Sequence, residues 1–453
     1  MSRKRTRLQS VTESPRVRPD AAGIDISPEM IYVAVDPQKD APAVRRYGTV
    51  TAELYRIANW LKACGVRTVA MESTGVYWIP LYQVLEERDF EVYLVNAQHY
   101  KNVPGRKTDV GDAAWLQYLH AVGLLAGSFR PAQEICAFRT VMRHRGELVQ
   151  AASKEIQHMQ KALDQMNVQI HRVLSDLTGV SGLAIVDAIL GGERDGRKLA
   201  ALRHGGVKAS EESIVAALQG DYRAEHLFTL KQSLESYRHY QKLIAECDRQ
   251  LRGMLNAIEG KSGEGEPPVS GKKFRKAGDE ELRQKFYRVF GVDLTAVPSV
   301  NVGTVEVLLA EVGPDLRRFR SAGAFASWLA LCPGNEITGG KVISSRTRKV
   351  RSRLAGALRM AAESLHRNES HLGRFYRRMK AKLGAPAAIT AAAHKLARIL
   401  YTLIRNQVEY DESQFAKIEQ RHNEKQHQNL IKRARMMGYT LVPLPAAPAA
   451  VVS

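Results

Sequence analysis

A chain of 453 residues has room for two or three domains, and 67 Lys+Arg against 47 Asp+Glu leave a net charge of +20 and a pI near 9.8. That surplus favours a polyanionic partner, nucleic acid first, over the alternative of a generally basic solvated surface. No apolar run is long enough to span a bilayer, and the basic stretch Ser2–Arg18 lacks the apolar segment of a secretory signal, so no membrane association and a cytoplasmic location are expected.

The 4 cysteines, Cys64, Cys136, Cys247 and Cys332, form no CxxC pair and no zinc spacing, which argues against disulfides and structural zinc. Cys64 and Cys332 sit in apolar contexts and are expected in the core.

In chain order, residues 1–21 form a basic head expected to be disordered. Gly23–Ile26 reads as an apolar strand carrying one acid, Asp25. A turn at Ser27–Glu29 leads to a returning strand, Ile31–Val35, and to a third at Val44–Val50. Leu54, Ile57, Ala58 and Leu61 have helical spacing and end at Gly65. Val66–Met71 is a strand closing on Glu72, Pro80–Glu87 a helix, and Glu91–Val95 a strand.

The stretch Arg106–Asp112 follows Pro104 and Gly105 and opens a further helix with Thr108 as its N-cap. Asp109 and Asp112, three apart, then share one helix face, with Arg106 and Lys107 close by to bind phosphate. Two readings stand for this pair: acids that favour the positive end of the helix dipole, or ligands of a metal beside a phosphate.

Three strands, helix, strand, helix, strand, helix is the order of a ribonuclease-H-like domain, expected here over 22–130. In that order Asp25, Glu72, Asp109 and Asp112 arrive at one sheet edge, where four acids repel one another without cations. Carboxylates with phosphate oxygens suit Mg²⁺.

From 131 to 258 the chain is helical. Ile156, Met159, Leu163, Met166, Ile170 and Val173 form one heptad-like stripe, and Leu230, Tyr237, Ile244, Leu251 and Ile258 another, which predicts an antiparallel coiled-coil arm. Residues 259–279 read as a linker. A mainly helical domain follows over 280–410.

That domain opens with Val297–Thr304, a Gly-containing turn between apolar segments that is either a helix–hairpin–helix or an ordinary helix connection. Pro333–Lys341 brings glycines, a hydroxyl and a lysine ahead of the basic run Arg346, Arg348, Lys349, Arg351 and Arg353. Either this loop only grips phosphate, or a hydroxyl held there attacks a phosphodiester. Residues 411–453 form a basic tail whose Ala/Pro-rich end, 443–453, is expected to be disordered.

Taken together, Gly23–Asp25, the Met71–Gly75 turn, Lys107–Ala113, Val297–Gly303, and Pro333–Asn335 with Thr338–Lys341 resemble the one-ten family of bacterial insertion-sequence transposases, and most closely its eleven-eleven group. The resemblance implies a RuvC-like domain with DEDD acids at Asp25, Glu72, Asp109 and Asp112, a coiled-coil middle and a C-terminal transposase domain. It further implies Mg²⁺ as cofactor, a structured non-coding RNA encoded by the element, donor and target DNA as partners, and a working tetramer.

The family's nucleophile is a serine that forms a covalent link to DNA. The matching position here is Thr338, with Ser344 and Ser345 as alternatives. The expected activity is RNA-guided DNA recombination. A junction-resolvase-like nuclease in which water attacks is the competing reading.

Overall fold

The structure is a computed structural model that describes residues 15–73, 75–96, 109–258, 260, 265–269, 274, 278–348, 350 and 352–442, with 109, 110, 416–419, 422 and 423 described by backbone alone. The expectations for residues 1–14 and 443–453, and most of the linker, lie outside these residues. The chain divides into two compact units, Met1–Arg130 and Pro131–Ser453.

Short apolar runs, buried on both faces at the centre of the sheet, build the first unit. Its strands are β1 (Ala21–Ile26), β2 (Ile31–Ala34), β3 (Val44–Tyr47), β4 (Thr68–Glu72) and β5 (Glu91–Val95), in the spatial order β3-β2-β1-β4-β5. β1 runs antiparallel to β2 and parallel to β4, and β5 is parallel to β4.

Helix α1 (Thr51–Ala63) precedes β4, and α2 (Trp78–Glu86) makes the crossover from β4 to β5. Both pack on one sheet face, where Ile57, Leu61, Leu81 and Leu85 meet Ile24, Val69 and Met71. Helix α3 (Asp109–Ala121) covers the opposite face, with Leu116 and Leu119 against Ala70 and Val95. The mixed α/β order read from the sequence is observed, and it is consistent with a DEDD, RuvC-like domain.

The fold also takes in part of the expected disordered head. The Arg18 amide donates to the Ala121 carbonyl at 2.8 Å, and the Arg18 guanidinium lies 4.7 Å from the centre of the Tyr93 ring.

The second unit opens with α4 (Gln133–Gln165), followed by the short helices α5 (Ile170–Val173), α6 (Val180–Leu190), α7 (Gly196–Ala200) and α8 (Glu211–Ala217), and then by α9 (Ala224–Ala257). The two long helices, 33 and 34 residues, run antiparallel. Leu148 and Ala152 pack with Ile244 and Cys247, whereas Met159 and Leu163 cluster with Leu230 and Leu234.

The first apolar stripe does not run on through Val173 as its spacing suggests. Asn167 takes a left-handed φ of 55° just past the helix end, and Met166 and Ile170 are buried in the same cluster as Met159 and Leu163, which also takes in residues of α6, α7 and α8. Cys247 is the buried cysteine, whereas Cys64 and Cys332 are only half-buried.

Beyond the linker lie α10 (Asp279–Phe290), α11 (Val302–Val312), α12 (Ala322–Trp328), the strands β6 (Glu336–Thr338) and β7 (Lys341–Ser344), α13 (Arg353–Ser364), α14 (His371–Leu383), α15 (Ala385–Asn406) and α16 (Ala416–Met436). Val297–Thr304 turns the chain from α10 into α11. Asn301 caps that helix by accepting from the Thr304 amide at 2.9 Å, so Gly303 lies in the first helical turn.

α15 supplies the core of this region with Ala388, Ala392, Leu396 and Leu400. The basic tail holds a helix, α16, whose described side chains are almost all exposed. Among the described residues no helix is long and apolar enough to cross a membrane.

Candidate functional site

Strand alternation places Asp25 on the same face of β1 as Ala21 and Gly23, and Glu72 on the same face of β4 as Thr68 and Ala70. That face is the one covered by α3, since Ala70 packs with Leu116 and Leu119. Ile24 is registered opposite Met71, so Asp25 and Glu72 are the next residues of two adjacent parallel strands, about 4.8 Å apart across the ladder. Glu72 is 4 % exposed and Asp25 is half-buried.

Helix α3 crosses this edge in the opposite sense to β1. The Ala121 carbonyl accepts from the Arg18 amide at 2.8 Å, the Gln117 amide donates from Nε2 to the Ala21 carbonyl at 3.3 Å, and the Ala113 carbonyl lies against Gly23. As the strand advances, the helix runs back toward its N-terminus, so the end of β1 that carries Asp25 lies toward the part of α3 where Asp112 stands. Asp112 is half-buried there. The same end is the N-terminus of the helix, whose positive dipole favours anions.

Gly23 makes the approach possible. A Cβ there would stand 2.2 Å from the Gln117 nitrogen and 2.3 Å from the Ala113 oxygen. Gln117 itself escaped the sequence reading. Its signal was a polar residue within the apolar run Trp115–Leu119.

Asp25, Glu72 and Asp112 are thus brought to one sheet edge. Asp109 begins the same helix but is described by backbone alone, and Arg106 and Lys107 lie outside the described residues. Among the described residues no three His, Cys, Asp or Glu side chains form a ligand cluster. Among the described residues the acidic donors at this edge are carboxylates, the chemistry a hard divalent cation takes.

In the second unit, β6 and β7 pair antiparallel with Thr338 opposite Lys341. Gly339 and Gly340 have φ of 55° and 76°, the two positive values a type I′ turn requires, so the glycine pair serves the hairpin. Thr338 is exposed at its tip, beside Lys341. Ser344 is half-buried and its Oγ accepts from the Arg346 amide at 3.4 Å, whereas Ser345 is exposed.

The base of the hairpin closes through Pro333 opposite Thr347 and through the Gly334 amide donating to the Arg346 carbonyl at 2.9 Å. Arg346 and Arg353 are exposed. Arg348 is also exposed but donates to the Ser327 carbonyl, which ties it to α12. Lys349 and Arg351 lie outside the described residues. The hairpin also exposes Ile337, Val342 and Ile343.

Two family models match the chain. A DEDD domain model of the IS110 type, described as a transposase, matches residues 22–168, through the sheet and into α4. A model described as the transposase IS116/IS110/IS902 family matches residues 292–377, which include the hairpin. No curated protein matches the chain.

Proposed function

Because the chain carries two IS110-family transposase domains and is an enzyme that acts on DNA in transposition, cutting and rejoining it, we propose that it is an RNA-guided recombinase of the eleven-eleven group. The observation that carries this reading is that Asp25 and Glu72 stand on neighbouring parallel strands, on the sheet face that α3 covers. Asp25, Glu72, Asp109 and Asp112 would hold Mg²⁺, which when bound supplies Lewis-acid polarisation of the scissile phosphate.

The Thr338 hydroxyl attacks phosphorus. The new Oγ1–P bond forms as the P–O3′ bond breaks, and the freed DNA 3′ oxygen takes a proton. The reverse attack by a different DNA 3′-hydroxyl then releases Thr338 and joins new ends. Threonine is stiffer at χ1 than serine, and exposure at a hairpin tip offsets this by leaving its hydroxyl accessible.

Lys341, Arg346 and Arg353, with Arg106, Lys107, Arg348, Lys349 and Arg351, bind DNA and RNA phosphates. Sequence is chosen by base pairing with an element-encoded structured RNA rather than by side chains, as in other guided systems. The acids and the hydroxyl belong to different units of the chain, and a homotetramer in which one protomer's acids meet another's hydroxyl is the working assembly. The α4–α9 pair is its coiled-coil arm.

The test is recombination between donor and target DNA by protein purified with its bound RNA. Joined products that vanish after RNase treatment, and return when the purified RNA is added back, support the reading. Sequence-specific joining that survives RNase removes the RNA from it. Asp109-dependent cleavage with free ends, and no joining, favours the water-dependent nuclease.

A further inference from the structure

A cavity of about 1140 Å³ opens between the C-terminal side of the hairpin, α14, α15 and the segment 408–415. Its walls are apolar, with Phe375, Leu383, Ile399, Leu403 and Val408, and Ser345, Arg346 and Thr347 form the side toward the hairpin. Helical spacing marks Ile399 as a core residue of α15, yet it is half-buried and faces this space.

Two guanidiniums, of Arg346 and Arg398, stand at the cavity without a carboxylate partner among the described residues. The carboxylates that share the lining are engaged in local structure. Glu409 accepts from the Asp293 amide at 3.1 and 3.3 Å, and Asp411 accepts from the Ser413 amide and hydroxyl at 2.9 and 2.7 Å. Lys395 also lines the space, with its ammonium 3.0 Å from His371 Nε2 and over the Phe375 ring at 4.5 Å. The cavity therefore combines an apolar interior with a cationic rim.

We propose that this cavity takes an unpaired nucleotide, with the base held against the Phe375, Ile399 and Leu403 wall and the flanking phosphate on Arg346 and Arg398. An apolar pocket with guanidiniums beside it is the pattern by which proteins hold single-stranded or extruded nucleotides. The cationic rim disfavours a basic peptide as the occupant. The inference rests on the proposed function for its source of nucleic acid, either a base extruded from DNA or a loop of the RNA.

The test measures fluorescence anisotropy of labelled oligothymidine and oligouridine, each about eight nucleotides long, with the full-length protein. Ala391→Trp fills the cavity from α15, and Arg398→Ala removes an exposed charge whose loss does not disturb packing. Each variant is expected to weaken single-strand binding by about fivefold or more, while binding of a duplex changes by less than about twofold because its phosphate contacts lie elsewhere.

A stronger effect on oligothymidine assigns the site to DNA, and on oligouridine to RNA. Unchanged single-strand binding in both variants overturns the proposal, as does a change confined to self-association, which would make the cavity an interface between copies. The measurement involves no joining step, so its failure and a failure of recombination by the wild-type protein are distinguishable.

Discussion

Gly23 of β1 and Gln117 of α3 are in backbone contact: a Cβ on Gly23 would lie 2.2 Å from the Gln117 amide nitrogen. This contact fixes how closely the acid-bearing helix lies on the acid-bearing strand. Gly23→Ala must push α3 outward, because backbone atoms cannot rotate away as a side chain can. The expected cost is about 1–3 kcal/mol of stability, read as a lower midpoint in thermal or urea denaturation, together with a loss of DNA cleavage larger than the fraction unfolded explains. A Gly23→Ala protein with wild-type stability and cleavage would mean that α3 does not need this approach.

The acids at the sheet edge are expected to serve chemistry more than affinity. Asp25→Asn and Glu72→Gln keep size and hydrogen-bonding capacity but remove the negative charge that a divalent cation needs. Cleavage of element-end DNA should fall by about a hundredfold or more, whereas electrophoretic-mobility binding of the same DNA stays near wild type, since phosphate contacts dominate affinity. Retained cleavage in either variant would remove that residue from the site.

His120 gives the first unit a pH dependence. It is buried on α3, its Nε2 lies 2.8 Å from the Thr68 hydroxyl, and its Nδ1 has no partner among the described residues. The Thr68 hydroxyl donates to the Glu91 carbonyl at 3.2 Å, so it accepts from His120. Burial, with the nearby Arg18 charge, pushes the imidazole pKa down to about 4 from the ordinary 6.5. The unfolded chain therefore binds the proton more readily, and the stabilisation present above pH 6.5 is lost progressively as pH falls toward 4. The loss should reach roughly 3 kcal/mol at the acid end. Chemical denaturation across that range should show it, and His120→Gln should flatten the His120 part of the profile.

In the second unit Arg283 and Asp293 form a buried ion pair, 4 % and 3 % exposed, with the guanidinium Nη2 donating to Oδ2 at 2.7 Å. The other carboxylate oxygen of Asp293 accepts from the Thr295 amide and hydroxyl at 3.0 and 2.6 Å, and Glu409 receives the Asp293 amide. Arg283→Met leaves the Asp293 charge without its cation and should cost about 3–5 kcal/mol. The double variant Arg283→Met with Asp293→Leu should recover part of it, measured as denaturation midpoints.

The β-sheet was legible because its strands are short apolar runs bounded by turn residues and its helices carry apolar stripes, so the positions of Asp25 and Glu72 at strand ends followed from local pattern alone. The approach of Asp112 to them was expected only from the ribonuclease-H-like order of the elements, not from local pattern. It depends on the direction in which α3 crosses β1, which no local period encodes. The Gly339–Gly340 pair was open to a phosphate-loop reading because glycine permits both a close phosphate approach and a type I′ turn. Only the flanking strands Glu336–Thr338 and Lys341–Ser344 decide for the hairpin. The stripe through Ile170 and Val173 misled because three- and four-residue spacing continues across the left-handed break at Asn167. α16 escaped because it is polar on every side and has no apolar face to read.

Thr338 carries the central claim. Wild-type protein with its RNA, Mg²⁺ and element-end DNA should yield protein-linked DNA on a denaturing gel. The adduct should disappear in Thr338→Ala and persist in Thr338→Ser, which keeps the hydroxyl and loses the methyl. Full adduct formation by Thr338→Ala would contradict the assignment, and would move the nucleophile to Ser344 or Ser345 or away from the hairpin altogether.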